Sequence, residues 1–142
     1  MNISRGLLDE LIAHVREDPE NECCGVVAVA ADGPLGAGEA RAVRVLRARN
    51  LHASPLRFEI DPKELLELWT AIEAEGSELG GIYHSHVRSS PYPSQTDVAF
   101  AANWPGVEWI IVGLASGEEP ELRSYLIDAG RIQEVSITEM AL

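Results

Sequence analysis

The chain has 142 residues, 46% of them hydrophobic and 24% charged, which is the length and makeup of one globular domain able to bury its own core. Eleven basic residues against 23 acidic ones leave a formal charge of −12, which repels phosphate backbones and anionic lipid and argues against nucleic-acid or membrane partners. A single domain over residues 1–142 is expected, with no linker, repeat or low-complexity segment.

The opening residues, "MNISRGLLDELIAHVREDPE", are charged throughout and lack the apolar core of a signal peptide, so a cytoplasmic protein is expected. They read as a helix: Ser4 can cap it, Leu7, Leu8, Leu11, Ile12 and Val15 recur at helical spacing, and Asp18-Pro19 stops it. His14 falls at the flank of that apolar face. "CCGVVAVA" is a short β-branched run, "DGPLGAG" a turn-rich break, and "EARAVRVLRARN" a second strand. Cys23 and Cys24 are adjacent and would face opposite ways in a strand, which speaks against a structural disulfide and fits a reducing compartment.

"DPKELLELWTAIEAEG" predicts a second helix, with Asp61 as N-cap, Pro62 in the first turn, Glu64 completing a capping box and Gly76 beyond the end. Leu65, Leu68, Trp69 and Ile72 form its buried stripe. "LGGIYHSH" then reads as a strand, "SQTDVAFAANWPG" as a short helix, and "VEWIIVGL" as a strand buried on both faces. "ELRSYLI" and "RIQEVSI" close the chain as a hairpin around Asp128-Ala129-Gly130. The fold class is therefore α/β, a compact mixed β-sheet flanked by helices.

Chemistry concentrates in "YHSHVRSSPYPSQTD", residues 83–97. Alternation along a strand points His84 and His86 the same way, with Cα atoms roughly 6.6 Å apart, so two imidazoles can grip one ion. Asp97, in the first turn of the next helix, is within loop reach as a third ligand. Two histidines, a carboxylate and an open position make the ligand set of a hydrolytic zinc site. The same letters also describe a polar strand end followed by a helix that Ser94 caps and Asp97 favours electrostatically. The residues alone leave both readings open.

The complete spacing, His-x-His, seven residues, Ser, two residues, Asp, resembles the signature of the JAMM metalloproteases, also called MPN+ or Mov34/PAD-1 domains. That family carries a glutamate on an early strand, within a Pro-x-Glu-x-Cys-Gly-like stretch, and "DPENECCGVV" supplies it as Glu22. The similarity extends through "RNLHASPLRFEIDP" and the "VEWIIVGL" strand. It implies the JAMM/MPN fold, similar to that of cytidine deaminases, with one zinc ion on His84, His86 and Asp97. Glu22 is implied as the base that takes a proton from water at the metal and returns it to the leaving amine. Ser94 is implied as the donor that stabilises the oxyanion.

Departures exclude neighbouring chemistries. No His-Glu-x-x-His helix and no Pro-Cys-x-x-Cys occurs, which sets aside zincins and zinc deaminases. The charge of −12 and the absence of a helical N-terminal extension count against a DNA-associated RadC-like relative. Family members cleave after the C-terminal Gly-Gly of ubiquitin or ubiquitin-like proteins. The short loop between His86 and Ser94 leaves no room for the long insertions of eukaryotic deubiquitinases, and the "YHSH" and "YPSQTD" text resembles that of small stand-alone bacterial peptidases that release cysteine from a ubiquitin-like sulfur-carrier protein during cysteine biosynthesis. A desampylase-like or deubiquitinase-like isopeptidase and a non-catalytic MPN scaffold are the alternatives, and a homodimer is left open.

Overall fold

A computed structural model describes residues 1–33, 39–115 and 119–140. A short strand, β1 (Asn2–Ser4), leads into helix α1 (Arg5–Arg16). Ser4 caps that helix as its spacing requires, accepting from the Leu7 amide at 3.3 Å. Strands β2 (Cys24–Ala30) and β3 (Ala42–Ala48) follow, then helix α2 (Pro62–Ala74), strand β4 (Ser77–His86) and helix α3 (Gln95–Ala101). Strands β5 (Glu108–Gly113), β6 (Glu121–Asp128), β7 (Arg131–Val135) and β8 (Thr138–Met140) complete the chain. Most of the turn expected over "DGPLGAG" lies outside the described residues.

Six strands form one mixed sheet in the order β3-β2-β4-β5-β6-β7, parallel only between β4 and β5. Its central strands β2 and β5 are buried at every position, as unbroken apolar runs require. Alternation divides their side chains between two cores. Val26, Ala28, Ile82, Trp109 and Ile111 pack with Leu65 and Ile72 of α2 and Ala101 of α3. Val27, Val29, Tyr83, Ile110 and Val112 pack with Leu8, Leu11 and Val15 of α1. Helices thus cover both faces of the sheet, the α/β arrangement expected.

Three local expectations are corrected. Trp69 is not in the buried stripe: it is 40% exposed, its indole N–H donates to Glu73 at 2.7 Å, and its ring meets the edge of Trp104. An indole needs a partner for its N–H, and the helix flank supplies one where the core does not. Glu64 does not complete a capping box; its carboxylate instead accepts from the Arg49 amide at 2.9 Å, while Asp61 caps through Lys63. The chain also gains β1 and β8, a parallel pair too short for alternation to reveal. Beside them the Met1 amino nitrogen is buried against Glu108 at 3.1 Å, which also accepts from Ser124.

Gly25 is where sheet and site meet. It pairs with Tyr83 across β2 and β4, and any side chain there would collide with the Tyr83 ring. That ring cannot swing aside, because it is fully buried and its hydroxyl is hydrogen-bonded to His14 at 2.6 Å. Gly25→Ala should therefore destabilise the protein by about 1–3 kcal/mol through overpacking, read as a lower urea midpoint at unchanged slope.

Candidate active site

Strand β4 lies between β2 and β5 in the sheet, and its last residues are buried although they are polar. His84 is fully buried and His86 is 4% exposed. Their Nε2 atoms lie 3.1 Å apart. Asp97 Oδ2 closes a triangle at 3.1 Å from His84 Nε2 and 3.3 Å from His86 Nε2. The helix-cap reading holds simultaneously: Ser94 Oγ accepts from the Asp97 amide at 3.1 Å, and Asp97 Oδ2 accepts from the Ser94 amide at 2.9 Å. The cap is what aims the carboxylate at the imidazoles.

The triangle has the size of a metal-ligand set. Ligand atoms about 2.0 Å from a tetrahedral ion stand roughly 3.3 Å from one another. His86 Nδ1 donates to the Ser90 carbonyl at 2.8 Å, which fixes the tautomer that presents an Nε2 lone pair to the centre. His84 stacks on Phe58, with ring centroids 4.4 Å apart, and its buried Nδ1 has no partner among the described residues. Burial lowers the His84 pKa, opposed by Asp97. Burial also pulls on His86, but Asp97 and the Ser90 carbonyl outweigh it and raise that ring. Asp97, though buried, is held well below the usual carboxylate range by the two imidazoles and the Ser94 amide. A permanent carboxylate facing two imidazole nitrogens suits a divalent cation.

A second carboxylate stands just outside the triangle. Glu22 is 5% exposed, and one of its oxygens lies within 4.8 Å of the ligand nitrogens of His84 and His86. Its Oε1 is buried without a hydrogen-bond partner among the described residues. Burial pushes its pKa up to about 8, with His86 opposing and Asp97 reinforcing the shift. His84, His86, Asp97 and Glu22 are thus assembled in one buried cluster that could hold a metal ion.

The family described as prokaryotic homologs of the JAB domain matches residues 4–128. The chain belongs to this family. It is 36% identical over 132 residues to the CysO-cysteine peptidase of Mycobacterium tuberculosis, covering 93% of this chain and 86% of that one. Against the desampylase of Haloferax volcanii it is 36% identical over 117 residues, 78% of each chain. A solution structure from Desulfitobacterium hafniense superposes with a TM-score of 0.82 at 28% identity, covering 98% of this chain and 93% of that one. The protein is accordingly a peptidase of the JAB/MPN type.

In this JAB-family chain the glutamate is held by parts that motif reading does not reveal. Ser85, between the two histidines and facing away from them, exchanges two hydrogen bonds with Cys23: its amide donates to the Cys23 carbonyl at 3.0 Å and its Oγ accepts from the Cys23 amide at 2.9 Å. The Glu22 amide donates to the Ser54 carbonyl at 2.8 Å, and the Glu22 carbonyl accepts from Asn50 Nδ2 at 3.0 Å. Asn50 also donates to the Arg57 carbonyl and accepts from the His52 and Glu59 amides, each at 3.1 Å. Its amide side chain therefore uses all four hydrogen-bonding positions. Asn50 stands in the "RNLHASPLRFEIDP" segment, but a lone asparagine in a polar loop gives no local signal of this role.

The segment from His86 to Ser94 is pinned rather than free. Tyr125 donates its hydroxyl to the Pro91 carbonyl at 2.6 Å, and Pro91 lies over Gly113, where a Cβ would come within 2.9 Å of its ring. Two open grooves flank it. One, of about 280 Å³, is lined by Arg88, Ser89, Ser90, Pro91 and Gly113. The other, of about 480 Å³, is lined by Asn21, Pro55, Val87 and Arg88 with Pro19 and Glu20.

Asn50→Ala should lower the unfolding free energy by roughly 1–3 kcal/mol, since it strands several loop amides and carbonyls at once; urea unfolding measures this. In metal-stripped protein the Glu22 carboxyl binds its proton more tightly folded than unfolded. Its contribution to stability is complete below its ordinary pKa of 4.5 and is lost as pH rises through about 8. The stability of Glu22→Gln relative to the parent should therefore rise across that window, measured by denaturant unfolding at pH 4 to 9 in chelator.

Proposed function

We propose that residues 1–142 work as a single zinc metallopeptidase domain. It hydrolyses the amide or isopeptide bond after the C-terminal Gly-Gly of a small ubiquitin-like protein, most specifically releasing cysteine from a sulfur-carrier protein in cysteine biosynthesis. The observation that carries this reading is the coexistence of a ligand-sized triangle of His84, His86 and Asp97 with a buried, unpartnered carboxylate beside it. Two nitrogens and an oxygen suit zinc, the ion expected here, and also iron, cobalt or manganese. When bound, such an ion supplies a Lewis acid that polarises the scissile carbonyl and acidifies water.

The remaining steps fall to the chain's own groups. One Glu22 oxygen lies within 4.8 Å of the ligand nitrogens of His84 and His86, close enough to act as general base toward a water at the centre. Its burial favours the protonated form, so once loaded it can return the proton to the leaving amine. Ser94 Oγ accepts from the Asp97 amide, which leaves its own O–H as a donor for the oxygen of the attacked carbonyl. The groove lined by the small residues Ser89, Ser90, Pro91, Gly113 and Ala115 is suited to a tail without side chains such as Gly-Gly.

Similarity to a CysO-cysteine peptidase supports the carrier–cysteine substrate. Equal identity to a desampylase supports a second reading, an isopeptidase acting on lysine conjugates. A non-catalytic scaffold is disfavoured because ligands, base and oxyanion donor are all present. Two buried free cysteines, Cys23 and Cys24, support a reducing, cytoplasmic setting. Among the described residues no helix is long and apolar enough to cross a membrane.

Metal analysis and cleavage assays on two variants test this reading. The parent should carry about one zinc per chain and release cysteine from a carrier–cysteine conjugate. Asp97→Ala should lose both metal and activity, whereas Glu22→Ala should keep the metal and lose cleavage by at least about 100-fold. Full activity in Glu22→Ala, or full zinc in Asp97→Ala, would refute the assigned roles.

A further inference from the structure

The two grooves meet at Arg88, and they are not equivalent. Asn21 places the 480 Å³ groove beside Glu22, and Val87 places it beside His86. If Glu22 returns a proton to the leaving amine, the leaving group must lie on the Glu22 side. The Gly113 groove is then left for the acyl tail. Arg88 stands on the lip of the leaving-group side.

Its electrostatic state is unusual for so acidic a chain. Arg5, Arg41, Arg44, Arg47 and Arg123 each hold a carboxylate. Arg88 is exposed and holds neither a carboxylate nor a hydrogen-bond partner among the described residues. Glu121, which shares the acyl groove, is committed to Arg123. Of the remaining cations without a carboxylate, Arg49 and Lys63 line a separate groove, Arg57 leans on His52, and Arg131 sits on the far hairpin. A guanidinium two residues from His86 therefore offers its fork to whatever enters beside Glu22.

We propose that Arg88 is a specificity residue that binds the α-carboxylate of a leaving group consisting of one free amino acid. This rests on the hydrolytic reading above and deepens it. A carrier joined through its last carbonyl to the α-amine of a terminal amino acid presents that carboxylate two bonds from the scissile nitrogen. A carrier joined to a lysine side chain within a protein presents none there. Arg88 thus favours the terminal conjugate.

The test separates this proposal from the hydrolytic reading by measuring binding as well as turnover. Zinc-loaded Glu22→Gln is titrated calorimetrically with a carrier ending in Gly-Gly-Cys as the free acid, and with the same carrier ending in the carboxamide. The acid should bind about fivefold more tightly, the scale of a half-exposed ion pair. Arg88→Gln, added to that variant, should bring the ratio near one without changing carboxamide affinity, and Arg88→Lys should restore part of it. In otherwise unaltered enzyme, Arg88→Gln should raise KM for the acid and leave kcat unchanged. Equal affinity for acid and carboxamide, a preference that survives Arg88→Gln, or failure of both to bind overturns the proposal. Cleavage of acid, carboxamide and lysine conjugates alike removes the carboxylate anchor but keeps the hydrolase; cleavage of none removes both.

Discussion

Everything at the site depends on Ser85. Its two hydrogen bonds to Cys23 lock the start of β2 to the end of β4, in register with the Cys24–His84 pair. Because β4 alternates, the residue that makes this lock faces away from the centre while its two neighbours face into it. The same lock fixes Glu22, one residue before Cys23, over the histidines. A slip of one residue between these strands would turn both imidazoles into the opposite core and carry the glutamate away.

In "SQTD" the helix cap and the approach of Asp97 to the two histidines are one arrangement. A helix N-terminus needs an acceptor for its first amides, and Asp97 Oδ2 serves the Ser94 amide with the same oxygen that faces His84 and His86. Local backbone chemistry thus pre-forms the third corner of the triangle before any ion arrives. On the opposite flank, Asn50 draws the loop from 50 to 59 together and lays it against the Glu22 backbone. Glu22 Oε1 is left without a hydrogen-bond partner among the described residues while the main chain of Glu22 is engaged by Ser54 and Asn50.

How much was legible in the sequence follows from the range of each interaction. Strand and helix order was readable because alternation and capping are local, and His84, His86, Ser94 and Asp97 were readable because they lie within fourteen consecutive positions of the chain. Glu22 was reachable only through family resemblance, since nothing near it in sequence separates it from the acidic residues around it. Asn50, Ser85, Phe58 and Tyr125 act across distant segments, and no spacing rule reports such contacts. Trp69 misled because helical periodicity gives the side of a helix and not the depth to which that side is covered.

The two carboxylates of the site are pushed in opposite directions by surroundings only a few ångströms apart. Asp97 meets two imidazoles and a backbone amide, all of which favour its charged form, so it stays ionised. Glu22 is buried with an oxygen that has no hydrogen-bond partner among the described residues, so its charge is costly and its pKa climbs to about 8. One environment keeps a carboxylate charged and the other favours its protonated form, the same separation by which paired carboxylates elsewhere take different roles. A cation at the centre would bring Glu22 back toward ionisation without touching Asp97, which is already charged. Under the proposed reading the ion therefore completes the base as well as the ligand set, and the strained state of Glu22 in its absence is the counterpart of its use in its presence.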